Sequence, residues 1–104
     1  MNSQSDLFAD LQAASNLHRV QFLKNELALC LTFSLIATHR YETGDQESAA
    51  KSMGKAEKAY EAVCQILSDP KHSKHLTDEV IQDITVELKR LRDRLDGILQ
   101  RFKT

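Results

Sequence analysis

The chain is short of the residues that interrupt helices, with three glycines and a single proline among 104 residues. A β-sheet protein of this size needs several tight turns, and those turns draw heavily on Gly and Pro. Good helix formers such as Ala, Leu, Glu, Lys and Gln are frequent instead. The composition therefore predicts an all-α fold, and the length predicts one domain that covers residues 1–104.

The chain also lacks an excess of charge of one sign, since its net charge is -1. It therefore has no global attraction for nucleic acid or for an anionic membrane. Its two cysteines, Cys30 and Cys64, lie in apolar helical runs and are predicted to be small buried hydrophobes. The N-terminus does not resemble a signal peptide, and the apolar run of residues 27–37 is shorter than the roughly 20 residues of a membrane span. We expect a cytoplasmic protein without membrane contact.

Motifs that carry chemistry are absent as well. The sequence has no Gly-rich phosphate loop, no nucleophile elbow and no H-E-x-x-H, so we expect a non-enzymatic protein without catalytic residues or cofactors. His72 and His75 form H-x-x-H near Asp69, but a zinc site needs three or four ligands, and Lys71 and Lys74 would repel a cation. We interpret this segment as a solvated polar loop without metal. Contact with a phosphate or an acidic peptide stays open.

Punctuation residues divide the chain into helices. Gly44 suits the left-handed position that follows a helix end, and Asp45 can cap the next helix. Pro70 ends the second helix, and Thr77 supplies a capping hydroxyl for the third. The predicted architecture is an antiparallel three-helix bundle of about residues 17–42, 46–68 and 77–103, with residues 1–16 as an N-terminal helical extension.

Each predicted helix carries a seam, which we define as a row of mostly apolar residues spaced alternately three and four apart. The seams are Val20, Leu23, Leu27, Cys30, Ser34, Ala37 and Tyr41 in the first helix, Ala49, Met53, Ala56, Tyr60, Val63 and Leu67 in the second, and Ile81, Ile84, Leu88, Leu91, Leu95, Ile98 and Phe102 in the third. The first seam changes phase near Ser15-Asn16, so this helix is either continuous or kinked there. Gly97 hints at close packing against another backbone.

The first helix has more apolar surface than one seam. Leu29, Leu31, Phe33, Leu35 and Ile36 lie off it, and a helix that is apolar nearly all round is usually buried on several sides. Two companion helices cover only part of such a surface. We therefore predict a protein–protein interaction or assembly module that forms a homodimer or binds an amphipathic helix of another protein. The predicted partner-binding residues are Leu7, Phe8, Leu11, Leu29, Phe33 and Ile36.

A second interpretation rests on the basic second half of the third helix. There Arg90, Arg92, Arg94 and Arg101 offer an alternative patch for nucleic acid or an acidic peptide. Nucleic acid is the less expected ligand, because no aromatic residues for base stacking interleave with the arginines. Bases near a helix C-terminus also complement the helix dipole without any ligand.

The hairpin FSLIATHRYETGDQESAAKSMGKAEKAYEAVCQIL, from Phe33 to Leu67, resembles a tetratricopeptide-type helix pair. With Gly44 at the mid-repeat glycine, Phe33 and Ile36 match bulky positions, and the small positions are matched by Ala37, Ala49 and Ala56. The hairpin with a long third helix is also similar to the microtubule-interacting-and-trafficking domain, a three-helix bundle that binds short peptides. Small bacterial export chaperones share the GD pair before an Ala-rich helix. These resemblances imply partner binding.

Overall fold

The computed structural model describes the backbone of residues 3–103 and the side chains of Asp10 and residues 13–103. It contains α1 (Ser3–Glu42), α2 (Gln46–Ser68), α3 (Pro70–Ser73) and α4 (Asp78–Lys103). Residues 3–103 contain no strand, so the all-α prediction is confirmed. The bounds of α2 and α4 lie within one residue of the predicted ones. The single-turn α3 was not predicted, and it stands where a loop was expected.

The first helix is continuous through Ser15 and Asn16, which answers the question of a kink. The change in apolar phase does not interrupt the backbone, since neither Gly nor Pro lies there. With 40 residues, α1 is about 60 Å long, whereas the 23 residues of α2 span about 35 Å. The N-terminal part of α1 therefore runs past the other helices, and the molecule measures 66 × 20 × 17 Å.

The turn between α1 and α2 is built as its sequence predicts. Gly44 has a φ of 88°, a left-handed conformation that glycine adopts without strain. The amide of Asp45 donates to the carbonyl of Arg40, and the amide of Gly44 donates to that of Tyr41, which together form a Schellman motif. The Asp45 carboxylate then accepts from the amide of Ser48 and caps α2.

The link from α2 to α4 also follows its capping residues. Asp69 accepts the amide of Lys71 through its carboxylate, and Pro70 occupies the first position of α3, where no amide donor is needed. Thr77 accepts the amide of Val80 through its hydroxyl and so caps α4, as predicted. Between them Leu76 is buried and anchors the link to the core.

The three seams supply the core. One cluster of buried residues joins Cys30 and Ala37 of α1 to α2 and α4, and the other gathers around Leu23 of α1. Ser34 is also buried, and its hydroxyl donates to the carbonyl of Leu31 at 2.7 Å, which satisfies it in apolar surroundings. The fully buried or nearly buried seam residues are Leu23, Cys30, Ser34, Ala37, Ala49, Met53, Ala56, Val63, Ile84, Leu88, Leu91, Leu95 and Ile98.

One packing expectation is wrong. Gly97 is exposed, and a Cβ built on it meets no atom within 4 Å, so no other backbone packs closely against it in the described structure. The glycine lies outside the α4 seam, between the buried residues Leu95 and Ile98. A glycine inside a helix is compatible with close packing and with open space. Only the arrangement of the neighbouring helices distinguishes the two.

Candidate interaction surface

The side of α1 that faces away from the core is exposed, and it is apolar chiefly between Leu27 and Thr38. We call it the outward face, and its residues are Leu17, Phe22, Asn25, Ala28, Leu29, Leu31, Thr32, Leu35 and the half-buried Ile36. Leu17 is 66% exposed, Leu35 50% and Leu29 43%. No charged residue occurs from Leu27 to Thr38, so this part of the helix has no polar side that water would favour.

The predicted partner-binding residues differ in exposure. Leu29 is open to solvent, whereas Phe33 and Ile36 are half-buried. Phe33 packs against the core, and the Lys55 ammonium lies 5.4 Å from its ring centroid. The side chains of Leu7, Phe8 and Leu11 lie outside the described residues.

Sequence reasoning did not select the most exposed members of the outward face. Leu17 and Phe22 were not considered, and Leu31 and Leu35 were noted but left out of the predicted site. A signal for them exists: Phe22, Leu29 and Ile36 recur every seven residues, and Leu17, Ala28 and Leu35 form a parallel row on the same helix. Projecting every apolar residue of α1, rather than those off the seam between 29 and 36, finds both rows.

An open groove lies at the C-terminal end of the outward face. It has a volume of about 510 Å³ and is lined by Leu35, Ile36, His39, Arg40, Thr43 and Asp45. Arg40 and Asp45 approach to 3.9 Å across the turn between α1 and α2, so this end of the groove carries a solvated ion pair. The outward face thus runs from an apolar centre to a polar rim.

The stretch Ala13–Glu42 of α1 is long and apolar enough, by length and composition, to cross a membrane. This stretch is longer than the apolar run of residues 27–37 on which the expectation of no membrane contact rested. A core helix of a soluble protein meets the same criterion, and one side of this helix packs against α2 and α4. The finding is weak evidence for either environment.

The four arginines of the alternative basic patch do not share one surface. Arg92 contacts Glu57 of α2, whereas Arg101 contacts Glu42 and lies over the Tyr41 ring of α1. Arg90 pairs with Glu87 on its own helix. Arg90 and Arg94 line an open groove with Leu31, so only part of the patch faces a common space.

Arg92 is the centre of a charged cluster beside the core. Two of its guanidinium nitrogens donate to the two Glu57 carboxylate oxygens at 2.9 and 2.8 Å, and Asp96 accepts at 2.9 Å. These hydrogen bonds raise the pKa of Arg92, and those to Glu57 have the largest effect. The guanidinium also lies 5.0 Å from the Tyr60 ring centroid. The pKa of Tyr60 is raised, chiefly by desolvation.

Both cysteines are free thiols; Cys30 is fully buried and Cys64 half-buried. The pKa of the Cys30 thiol is raised to about 11. Desolvation is the main cause, and the nearby Glu57 carboxylate is the second. The prediction that Cys30 serves as a small core hydrophobe is confirmed, since a thiol in this environment stays protonated and is a poor nucleophile.

The histidine segment lies where α3 meets α1. His72 is half-buried, and its Nδ1 accepts a long hydrogen bond of 3.4 Å from the Arg19 Nε. The pKa of His75 is lowered by desolvation and then by the charges of Arg19, Lys74 and His72. Within the described residues, no group of three or more His, Cys, Asp or Glu side chains converges as metal ligands would.

Comparison of the chain with protein-family models, with curated proteins and with solved structures found no match. The class that the structure itself defines is an all-α protein of three long helices and one single-turn helix in residues 3–103.

Proposed function

We propose that this protein is a non-enzymatic, cytoplasmic assembly module that pairs with a second copy of itself through the outward face of α1. The proposal treats the three long helices as an antiparallel bundle, akin to the tetratricopeptide-type and microtubule-interacting-and-trafficking layouts. The observation that carries it is the exposure of five large apolar side chains on the solvent side of α1, with Phe22 and Leu31 at the two edges of that side. They are Leu17, Phe22, Leu29, Leu31 and Leu35. Exposed apolar patches of this kind are typical of interaction sites.

The energy available from this face indicates how the partner must bind. Covering the exposed half of one large apolar side chain contributes about 1 kcal/mol, so five on each of the two copies contribute about 10 kcal/mol. The cost of association is about 4 to 15 kcal/mol. The gain lies within the range of this cost, so the outward face alone supports weak pairing, and a stable dimer must bury further surface. Leu7, Phe8 and Leu11 are the proposed source of that surface.

An amphipathic helix of another protein is the second form of the same proposal. Such a helix would lie along the two rows of the outward face, because apolar residues spaced three and four apart pack into a row of the same spacing. The rival site on Arg90, Arg92, Arg94 and Arg101 has less support. Acidic residues of this chain already neutralise Arg90, Arg92 and Arg101.

Sedimentation velocity at several concentrations tests self-association. We expect the wild-type chain to approach twice its mass of 11.8 kDa as its concentration rises. The double variant Leu29→Glu, Leu35→Glu should stay at the monomer mass, because pairing would bury two carboxylates without partners. Val86→Glu is the matched control, since Val86 is an apolar residue that is 45% exposed on α4.

A wild-type chain that remains at 11.8 kDa at every concentration would contradict self-association. Loss of the dimer in the Val86→Glu control would equally argue against a specific role for α1. The second form of the proposal has its own measurement: a synthetic Leu-rich amphipathic peptide should bind the wild-type chain and not the double variant. Equal binding to both would contradict it.

A further inference from the structure

A second surface of the molecule combines apolar contact with an arginine that forms no ion pair in the described residues. We call it the basic groove; it has a volume of about 380 Å³ and is lined by Ser15, His18, Arg19, Phe22, Ile66 and His72. It lies where α1 passes the end of α2 and the single turn of α3. Lys71, Lys74 and His75 belong to the same end of the molecule.

The charges at the basic groove differ from those elsewhere in the protein. Arg40, Arg90, Arg92 and Arg101 each pair with an acidic side chain. In the described part of the chain no ion pair joins Arg19, Lys71 or Lys74 to an acid. The acids at this end, Asp69, Asp78 and Glu79, are all exposed. Within the described residues these three acids match the three cations in number but form no ion pair with them, so the Arg19 guanidinium is left to other acceptors.

The geometry of Arg19 fits it to receive an anion. Its side chain is half-buried, and it donates from Nε to His72 Nδ1 at 3.4 Å and from one terminal nitrogen to the Asn16 amide oxygen at 2.9 Å. A guanidinium has five N–H donors in a fixed fork, so donors are left for a carboxylate. The bond to His72 is longer than the usual range and is readily exchanged for a stronger acceptor.

The remainder of the groove is apolar. Phe22 is 45% exposed, and Ile66 is half-buried beside it. A free inorganic anion would use the arginine and leave this apolar surface uncovered. A peptide that carries an acidic residue next to a large apolar one would cover both. From this complementarity of charge and apolar surface we infer that the basic groove docks an acidic peptide segment, with a carboxylate on Arg19 and His72 and an apolar side chain on Phe22 and Ile66.

The test is an NMR titration of the isotope-labelled full chain with two synthetic peptides. Both have a central Phe, which is flanked by Glu in one peptide and by Gln in the other. We expect the Glu peptide to shift the amide signals of Arg19, Phe22, Ile66 and His72 and the Gln peptide to bind at least about tenfold more weakly, since loss of a charged hydrogen bond costs about 1.5 to 3 kcal/mol.

Variants distinguish specific binding of the peptide at the groove from a general attraction to positive charge. Arg19→Gln should weaken binding of the Glu peptide about tenfold. Arg90→Gln, on α4 and paired with Glu87, should bind as the wild type does. Arg19→Lys keeps the charge without the fork and should give an intermediate affinity; circular dichroism verifies that each variant is folded.

Several results would overturn the inference. They are equal binding of the Glu and Gln peptides, equal losses in Arg19→Gln and Arg90→Gln, or amide shifts that lie outside the groove. A further contrary result is that inorganic phosphate, or vesicles of mixed neutral and anionic phospholipid, reproduce the shifts of Arg19 and His72 and the Glu peptide does not. The groove would then bind an anion of another class, and the assignment to an acidic peptide would be wrong.

Discussion

Arg92 joins α2 to α4 at the edge of the core through two carboxylates and an aromatic ring. Its side chain is 30% exposed, so its ion pairs are intermediate between exposed and buried ones. An exposed ion pair contributes about 0 to 1 kcal/mol, and disruption of a buried pair costs about 3 to 5 kcal/mol. We expect Arg92→Ala to lower the free energy of unfolding by about 1 to 2 kcal/mol. Arg92→Lys should recover only part of this loss, because an ammonium does not make the bidentate contact with Glu57.

Urea unfolding followed by circular dichroism measures the effect of these Arg92 variants. Arg90→Ala is the control, since that arginine is 73% exposed and pairs only within its own helix. Its effect should stay within about 0.5 kcal/mol. If Arg90→Ala destabilised the protein as much as Arg92→Ala does, the contact between α2 and α4 would not explain the loss.

Cys30 makes the stability of the fold sensitive to alkaline pH. Its folded pKa of about 11 lies above the ordinary value of 9.0, so the folded state holds the thiol proton more tightly than the unfolded state. The contribution to stability is complete below pH 9 and is lost as the pH rises toward 11. Tyr60, with its raised pKa, acts in the same direction.

We expect the free energy of unfolding to fall by up to about 2 kcal/mol over this alkaline interval. Urea unfolding at a series of pH values measures the slope. Cys30→Ala removes the buried thiol and should flatten the slope, although it lowers stability at every pH by leaving a small cavity. If the slope in Cys30→Ala equalled that of the wild type, the buried Cys30 thiol would not explain the pH dependence.

Within the helices and their turns, Gly44 and Gly97 have opposite effects on stability. Gly44 has positive φ, and an alanine there would be strained by about 1 to 2 kcal/mol. Gly97 is in the middle of α4 with open space around its Cα, and alanine is preferred to glycine in a helix by about 1 kcal/mol. We therefore expect Gly44→Ala to destabilise the protein and Gly97→Ala to stabilise it.

Thermal or urea unfolding of the two glycine variants measures whether each substitution lowers or raises the free energy of unfolding. Gly54→Ala provides a second case, because Gly54 is also exposed within a helix and has open space for a Cβ. A loss of stability in Gly97→Ala would mean that another chain or segment packs against this position. That result would restore the close approach first expected for Gly97.

The helices were predictable because their signals are local. Gly44 and Asp45 determine one turn, Pro70 ends α2, and an uninterrupted seam defines α4. Within α1 the seam residues Leu23, Cys30 and Ala37 are buried as their spacing indicates. Local signals of this kind survive in any tertiary arrangement, since hydrogen bonds within a few residues produce them.

The candidate sites depend on contacts between distant parts of the chain. Arg92 meets Glu57 across 35 positions, and Arg19 meets His72 across 53. No periodicity in the sequence predicts such a pair. The same holds for exposure: Leu29 and Phe33 are one turn apart in an apolar helix, but only Phe33 has α2 and Lys55 beside it. Which apolar residue is left for a partner is decided by the helices that pack nearby.

At the scale of the whole molecule, the length of α1 determines an elongated shape. The radius of gyration of the Cα atoms is 17.6 Å, whereas a compact chain of this length has about 13 Å. An elongated protein exposes more surface for each residue that it buries. Here five of the six exposed large hydrophobic residues among those described lie on α1, the longest helix. Pairing along α1 would bring this rod closer to a compact shape.

Small-angle X-ray scattering distinguishes the ways in which two rods can pair. Copies that lie side by side along the outward face would keep the longest dimension near the 66 Å of one protomer and nearly double its cross-section. Copies joined through their N-terminal ends would lengthen the particle greatly with little change in cross-section. We expect the first result, because the exposed residues from Leu17 to Leu35 extend over about 27 Å along the helix axis. Leu29→Glu, Leu35→Glu should return the cross-section to that of the protomer, while an elongated wild-type particle would assign the pairing to another surface.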